Sequence, residues 1–291
     1  MTEVRVATLD DVSGIVKVHQ SNEDIEKLSK AKSLIDKWKL GGPWMALETC
    51  AIHLNYLLNT DYFIPLVAEE NKKIVGEAEI IIGEDIDYGK YIHISVIYVH
   101  KRYHRKGIGS LLMKQIFKLA QEREIHKITV NVEETAKGFY AKYGFKPFRK
   151  IFTYSIPITL ANYNNDISEK VREINAETID FETHLSRKRM CVGNYQSSKQ
   201  MWFVLSREKY PFFHVRAFSL ANKSFIIFGT PISNTKVGFV YMWGDFTLNT
   251  LGIIKNLAKK IGFREIRLGI QENQRIPLEV KYTEEIWYKE T

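Results

Sequence analysis

The run His104-Arg105-Lys106-Gly107-Ile108-Gly109 sets three basic side chains beside two glycines, directly ahead of an apolar-periodic segment. Glycine has no Cβ, so the backbone of such a turn can approach an anion closely. A helix opening there would aim unpaired N–H groups and the positive end of its dipole at the same place. The arrangement is a device for holding phosphate. Upstream stands the strand-like run Tyr91-Ile-His-Ile-Ser-Val-Ile-Tyr-Val99, and downstream Ala136-Lys-Gly-Phe-Tyr-Ala-Lys-Tyr-Gly-Phe145. His93 lies six residues before Val99, and its near-neutral pKa suits a general base. A histidine packed under a sheet is the competing reading. Glu79 is the reserve base, with Glu77, and strand alternation puts both on one face. Cys50 and Cys191 are far apart and lack metal-ligand spacing. Both are read as buried structural thiols, and no metal site is expected.

The elements that position these groups can be read along the chain. Val4 to Ala7 reads as a short strand, and Asp10 opens a helix with the acidic start its dipole favours. Residues 23–58 read as mostly helical, interrupted at Gly41-Gly-Pro43. Leu66–Glu69 and Lys73–Ile82 read as paired strands turning at Glu70-Asn-Lys72, with an acidic loop over 83–89. The helix after Gly109 puts Ile108, Leu111, Leu112, Ile116, Leu119 and Ala120 on one side. Lys114, Lys118 and Glu122 fall on the other side. Lys127–Val132 is the next strand, which implies parallel pairing through a right-handed crossover.

The chain has 291 residues, 45% of them apolar, and a formal net charge of +8. That length suits two domains or one large one. No apolar run approaches the ~20 residues that span a bilayer, and Met1-Thr-Glu-Val-Arg-Val-Ala lacks the zones of a signal peptide. A cytoplasmic protein without membrane partners is expected. The positive charge suits anionic ligands, nucleotide-like cofactors and nucleic acid alike. Lys27-Leu-Ser-Lys-Ala-Lys32 beside Glu23, Asp24 and Glu26 reads as a solvated helix face. Only Lys209-Tyr-Pro-Phe-Phe-His-Val-Arg216, where aromatics interleave with basic residues, supports a nucleic-acid partner.

These motifs resemble the GCN5-related N-acetyltransferase (GNAT) superfamily over roughly residues 3–155. Arg5-Val-Ala-Thr-Leu-Asp-Asp11 is similar to the family's opening. Val99 to Gly109 resembles its strand and acyl-CoA phosphate loop, with His104 where Arg or Gln is usual and Arg105 where glycine is common. Ala136, Tyr140, Gly144 and Phe145 match its Ala-x-x-x-Tyr-x-x-x-Gly-Phe pattern. The resemblance implies acetyl-CoA as cosubstrate, lying in a wedge between the strands that end near Val99 and Val132. Backbone groups of Ile97, Tyr98 and Val99 would bond the pantetheine and acetyl carbonyl. His104, Arg105, Lys106, Gly107, Ile108, Gly109 and Ser110 would wrap the pyrophosphate. Lys142 would approach the adenosine 3′-phosphate or else be solvated. Glu133 falls where Asn or Ser often stands, and either faces solvent or orients the amine. An amine would attack the thioester directly, without a protein nucleophile. Tyr140 occupies the family's thiolate-facing position and would act as general acid; packing beside Phe139 is its structural alternative. The family shapes its acceptor site with early helices, which directs attention to Trp38, Trp44, Met45, Glu48 and His53. A buried helix face of Trp44, Leu47, Ala51 and Leu54 is the preferred reading of that segment.

The second half echoes the first. Leu119–Val132 aligns without gaps to Leu257–Ile270 at a constant offset of 138 positions. Gly238–Trp243 is then the expected counterpart of Ile94–Val99. Trp243-Gly-Asp-Phe-Thr-Leu-Asn-Thr-Leu251 has neither paired glycines nor basic residues, and Asp245 would repel a pyrophosphate. The expected fold class is α/β (α+β, with a mixed sheet). A GNAT-fold acetyl-CoA-binding domain over 1–157 is followed by a smaller degenerate GNAT-like domain over 158–291. The expected function is acetyl transfer to a primary amine, with a homodimer left open. Its rivals are a non-catalytic acyl-CoA-binding or regulatory module, against which Tyr140 argues, and a nucleic-acid-associated protein.

Overall fold

The computed structural model describes residues 2–86, 89–158, 171–175, 190–193, 197, 199, 201, 213–220, 224–244, 246–272, 276 and 278–291. They form two compact units. The first comprises Met1–Gly83, Lys90–Val130 and Tyr288–Thr291; the second comprises Glu84–Gly89 and Asn131–Trp287.

The first unit opens with β1 (Thr2–Val6) and a short 3-10 turn leading into α1 (Val12–Gln20). The helical stretch resolves into α2 (Ile25–Lys30), α3 (Leu34–Gly41) and α4 (Leu47–Leu58), with a 3-10 turn over Gly42–Met45 where Pro43 interrupts. Local chemistry fixes the starts. The Asp24 carboxylate accepts from the N–H groups of Glu26 and Lys27, and Ser33 with Asp36 makes a reciprocal cap. The strands are β2 (Phe63–Glu70), β3 (Lys73–Asp85), β4 (Gly89–Val99) and β5 (Lys127–Asn131), with α5 (Ile108–Glu122) between the last two. β3 and β4 take up most of the stretch expected as an acidic loop.

The sheet runs in the order β1-β2-β3-β4-β5. β2 and β3 form a hairpin whose turn residues Asn71 and Lys72 have φ of 49° and 59°. Positive φ at both positions matches the right-handed twist of the strands. β4 and β5 run parallel, joined by α5. Ile108, Leu112, Met113, Ile116 and Ala120 of α5 are buried, while Leu111 and Leu119 are half-buried. Each fully buried aliphatic side chain contributes about 1.5–3 kcal/mol. Ala7, Val12, Ile15, Val16, Cys50, Leu54 and Val67 form a core cluster drawn from the first strands, α1 and α4.

The second unit holds α6 (Lys137–Lys142), β6 (Lys146–Pro157), β7 (Val171–Ile174), β8 (Met190–Val192), β9 (Phe213–Leu220) and β10 (Phe225–Pro231). β11 (Val237–Trp243), α7 (Leu248–Ile261), β12 (Glu265–Gln271) and β13 (Val280–Glu290) complete it. Its strands lie in the order β13-β6-β12-β8-β11-β10-β9-β7, and β12 also pairs with β11. β11 and β12 are parallel across α7. Tyr154, Val240, Met242, Leu268 and Ile270 pack with Ile254, Leu257 and Ala258 of that helix.

Residues 131–157 belong to the second unit, so the boundary expected at 157 falls inside it. β6 pairs with β12 from Ile151 opposite Gln271 to Pro157 opposite Glu265, which ties that stretch to the later chain. The strand register also corrects the repeat. Val130 lies opposite Ile94, and its aligned counterpart Leu268 lies opposite Val240. Ile94 therefore corresponds to Val240 rather than Gly238, two positions from expectation. The polar run Asn162–Asp166, Asp245 and the residues Lys209–Phe212 lie outside the described residues.

Candidate active site

β4 and β5 pair through Ile92–Ile128, His93–Thr129 and Ile94–Val130. β4 then continues to Val99 beyond this pairing, whereas β5 ends at Asn131, one residue after the last pair. On that free stretch the Ser95 hydroxyl oxygen is buried and has no hydrogen-bond partner among the described residues. A buried hydroxyl in such a state costs about 1–3 kcal/mol unless something reaches it, so the wedge is suited to a polar ligand.

The basic loop follows. Arg105 has φ of 62° and Gly107 has φ of 84°, so the chain passes twice through left-handed backbone before α5 begins. A Cβ on Gly107 would meet no atom within 4 Å, so the loop is open on that side. Arg105, Lys106 and Gly107 are exposed. The first N–H groups of α5, from Ile108 through Ser110, have no partner within the helix and point with its dipole. The Ile108 side chain is buried in the core, which anchors the loop. His104 behaves differently from its neighbours. Its imidazole Nε2 turns back to the Val99 carbonyl at 2.9 Å, which also accepts from Asn22 Nδ2 at 3.0 Å. The side chain thus braces the end of β4, leaving the backbone for an anion. Lys106 Nζ sits 5.0 Å over the Tyr103 ring.

A second group of residues lies on β3, where Glu77 and Glu79 are both buried, two positions apart on one face. Glu79 Oε1 accepts from Trp44 Nε1 at 2.8 Å and lies 3.0 Å from His53 Nε2. Glu77 Oε2 makes a very close contact with His19 Nε2. The His19 ring stacks between Trp44, at 5.0 Å, and Tyr98, at 4.5 Å. Trp44 in turn meets His53 edge-on at 5.2 Å.

Two buried carboxyls this close cannot both ionise readily. Burial, then the neighbouring Glu79, pushes Glu77 well above the usual carboxylate range. Burial acts on Glu79 in the same sense, but His53, Trp44 and Glu77 outweigh it and hold Glu79 below that range. Burial would lower His53, and the Glu79 carboxylate overrides it and raises the imidazole. Burial pulls His19 down to about 4. Of the two carboxyls Glu77 therefore keeps its proton the more tightly, against the His19 ring, and Glu79 gives its proton up the more readily. His53 and Trp44 donate to Glu79 from its other side.

His93, expected as the base, has a different setting. It is buried, its Nδ1 lies 3.0 Å from Thr129 Oγ1, and burial lowers its pKa to about 3. A ring that holds no proton above such a pH is a poor base for an ammonium ion. Trp44 and His53 were among the residues singled out for the acceptor site; His19 was missed. Its signal was position alone, in the last turn of α1, from which the ring reaches Glu77 on β3. Met45 is buried, Trp38 is half-buried and Glu48 is exposed. Leu47 is 52% exposed and Trp44 precedes α4, so the buried face expected of Trp44, Leu47, Ala51 and Leu54 does not form as a set.

In the second unit, Tyr140 on α6 is buried and packs edge-on against Phe139 and Phe145 at 5.2 and 5.5 Å. Burial, then the charge of Glu133, raises its phenol above the ordinary value, so it stays protonated. Glu133 and Lys142 are exposed, and Lys142 Nζ lies 5.8 Å over the Tyr143 ring. Cys50 and Cys191 are both buried and free. Among the described residues no cluster could hold a metal ion, and no helix is long and apolar enough to cross a membrane.

A family signature described as an acetyltransferase (GNAT) domain matches residues 55–153. Over 89 residues the chain is 30% identical to glucosamine 6-phosphate N-acetyltransferase of Schizosaccharomyces pombe, covering 30% of this chain and 80% of that protein. The chain belongs to the GNAT acetyltransferase superfamily. Solved structures with the GNAT fold cover the chain beyond the matched segment. A GCN5-related N-acetyltransferase from Kribbella flavida is similar with a TM-score of 0.62 and 13% identity, over 100% of this chain and 72% of that one. Another from Sphaerobacter thermophilus gives 0.55 and 13%, over 99% of this chain and 95% of its own.

Proposed function

We propose that the protein is an acetyl-CoA-dependent N-acetyltransferase acting on a primary amine. The loop at Gly107 carries this reading: left-handed backbone, exposed basic side chains and a helix N-terminus, all following a strand that runs on past its parallel pairing. The name of the fission-yeast relative agrees with an amine acceptor. Arg105 to Ser110 hold the pyrophosphate through backbone N–H groups, and Arg105 adds charge. Ile97 to Val99 offer backbone groups to the pantetheine arm. When bound, acetyl-CoA supplies an activated thioester; the protein supplies position and proton handling.

Proton handling falls to two places. The acceptor arrives as an ammonium ion and must lose a proton before it attacks. We assign that step to the Glu77–Glu79–His19–His53 group. His53, whose imidazole the Glu79 carboxylate raises, accepts the proton, and Glu79 holds the resulting charge. Tyr140 keeps its phenolic proton at neutral pH and serves as the acid for the departing thiolate. The stretch 158–291, with its own parallel strand-helix-strand, is read as a degenerate copy that does not bind the cosubstrate. Domains of 1–157 and 158–291 remain the functional division we favour.

Calorimetric titration of acetyl-CoA, with dephospho-acetyl-CoA as control, tests the reading. Saturable binding near one equivalent, followed by thiol release in an amine screen, is expected. Absence of binding at millimolar ligand would falsify it and leave a fold used for something else.

A further inference from the structure

The second unit contains a small cavity on the sheet face turned away from α7. Strand alternation sorts its residues cleanly. Tyr154, Val240, Leu268 and Ile270 point into the core with α7, so the positions beside them face the other way. Those positions include Thr153 on β6, Tyr241 on β11 and Arg267 on β12, which line the cavity together with Glu284 on β13. Its volume is about 180 Å³. That is well under the ~300–1,000 Å³ of sites for drug-sized ligands, and suits a small metabolite.

Two opposite charges line it without meeting each other. The Arg267 guanidinium stacks over Phe239 at 5.3 Å and binds Glu265 through Nε at 3.0 Å. Its two terminal nitrogens make no further hydrogen bond among the described residues. Glu284 makes no ion pair or hydrogen bond among them either, and burial raises its pKa. The Tyr241 hydroxyl bonds Ser197, with the Glu284 charge nearby. Phe239, Ile151 and Tyr282 add apolar wall, and Tyr282 is 40% exposed.

An unfilled guanidinium fork and an unfilled carboxyl on the wall of one cavity call for a ligand carrying both complementary charges. We propose that this cavity binds a small zwitterion, an α-amino acid with an apolar side chain. The Arg267 fork takes its carboxylate through two N–H donors. Glu284 ionises and takes its ammonium group, and the aromatic wall covers its side chain. The inference does not depend on acetyl transfer, because it concerns binding alone.

The test is calorimetry on the full chain without acetyl-CoA, using L-leucine, L-alanine and L-phenylalanine to bracket side-chain size. Isoamylamine and 4-methylpentanoate each carry one of leucine's two charges. At least one amino acid is expected to bind near one equivalent, with both single-charge analogues at least about tenfold weaker (~1.4 kcal/mol). Arg267→Gln should weaken the amino acid and spare the amine. Glu284→Gln, which keeps the side-chain shape, should weaken the amino acid and spare the carboxylate. Glu79→Gln in the first unit should change neither. No binding by any of the three amino acids overturns the proposal. So does equal binding of the analogues on the unmodified protein, or a loss caused by Glu79→Gln instead of Arg267→Gln and Glu284→Gln.

Discussion

Glu77 and Glu79 differ in one respect that decides their roles: the partners around each. Glu79 has Trp44 Nε1 and His53 to hold its negative charge, while Glu77 has the neutral ring of His19. Replacing Glu79 by Gln removes the carboxylate beside His53 without changing shape. We expect kcat/KM for the amine to fall by about 10²–10⁴-fold, with acetyl-CoA affinity unchanged by calorimetry. A fall in cofactor affinity instead would place Glu79 in the cofactor site. Glu77 makes a prediction about stability. Its folded pKa is raised, so its contribution is fully present below the ordinary carboxylate value and is lost as pH rises toward the folded one. Glu77→Gln carries no such titration. The melting temperature of the variant should therefore gain on the wild type as pH rises above the ordinary carboxylate value toward the folded one. A difference that stays flat across that range would mean Glu77 is ionised throughout.

At the scale of elements, the phosphate loop and α5 act together, because the loop is held by what begins and ends it. Gly107→Glu adds a side chain at a φ of 84° and a negative charge where an anion should sit. Acetyl-CoA binding should vanish while circular dichroism stays that of the folded protein; retained affinity would remove the loop from the site. Tyr140→Phe on α6 keeps the aromatic packing with Phe139 and Phe145 and deletes only the phenol. Turnover should drop at least about tenfold while acetyl-CoA affinity holds, and an unchanged rate would return Tyr140 to a packing role. These elements were legible in the sequence because each writes its own signal: glycine spacing at 107 and 109, helical periodicity from Ile108 to Ala120, alternation in β3. The proton network was half legible. Glu77 and Glu79 share a face by alternation, but nothing local ties them to His19, which is 58 positions away from Glu77. His93 shows a related limit. A histidine on a central strand has the right intrinsic pKa for a base, and burial beside Thr129, which no local signal reveals, lowers it.

For the whole molecule, the question is how many working wedges the chain contains. In the first unit the parallel strands pair only as far as Ile94 and Val130. In the second, β11 and β12 pair from Val237–Glu265 to Val240–Leu268, and β8 then enters between them. Val192 pairs with Met242 on one side and Ile270 on the other, and the Gly193 N–H donates to Gly269 at 2.5 Å. If the second half is the degenerate copy we propose, the chain's own backbone occupies the corresponding position, a bar to acyl-CoA. The sequence shows the turn after β11 without paired glycines or basic residues, and the register adds a shorter connection: Ile94 to Val130 spans 36 positions, and Val240 to Leu268 only 28. Either loss alone would weaken a pyrophosphate site; both together leave no place for the arm or the phosphates. Acetyl-CoA stoichiometry should therefore be one per chain, and Gly107→Glu should abolish it entirely rather than halve it. Gly193 gives the plug its own test. Its φ is 90°, and a Cβ there would collide with the Tyr241 ring. Gly193→Ala should cost about 1–3 kcal/mol of stability, read as a lower denaturant midpoint. The variant should still bind one equivalent, because a loosened plug restores neither glycines nor basic residues to the turn after β11. A second equivalent in Gly193→Ala would show that β8 alone keeps the second wedge silent.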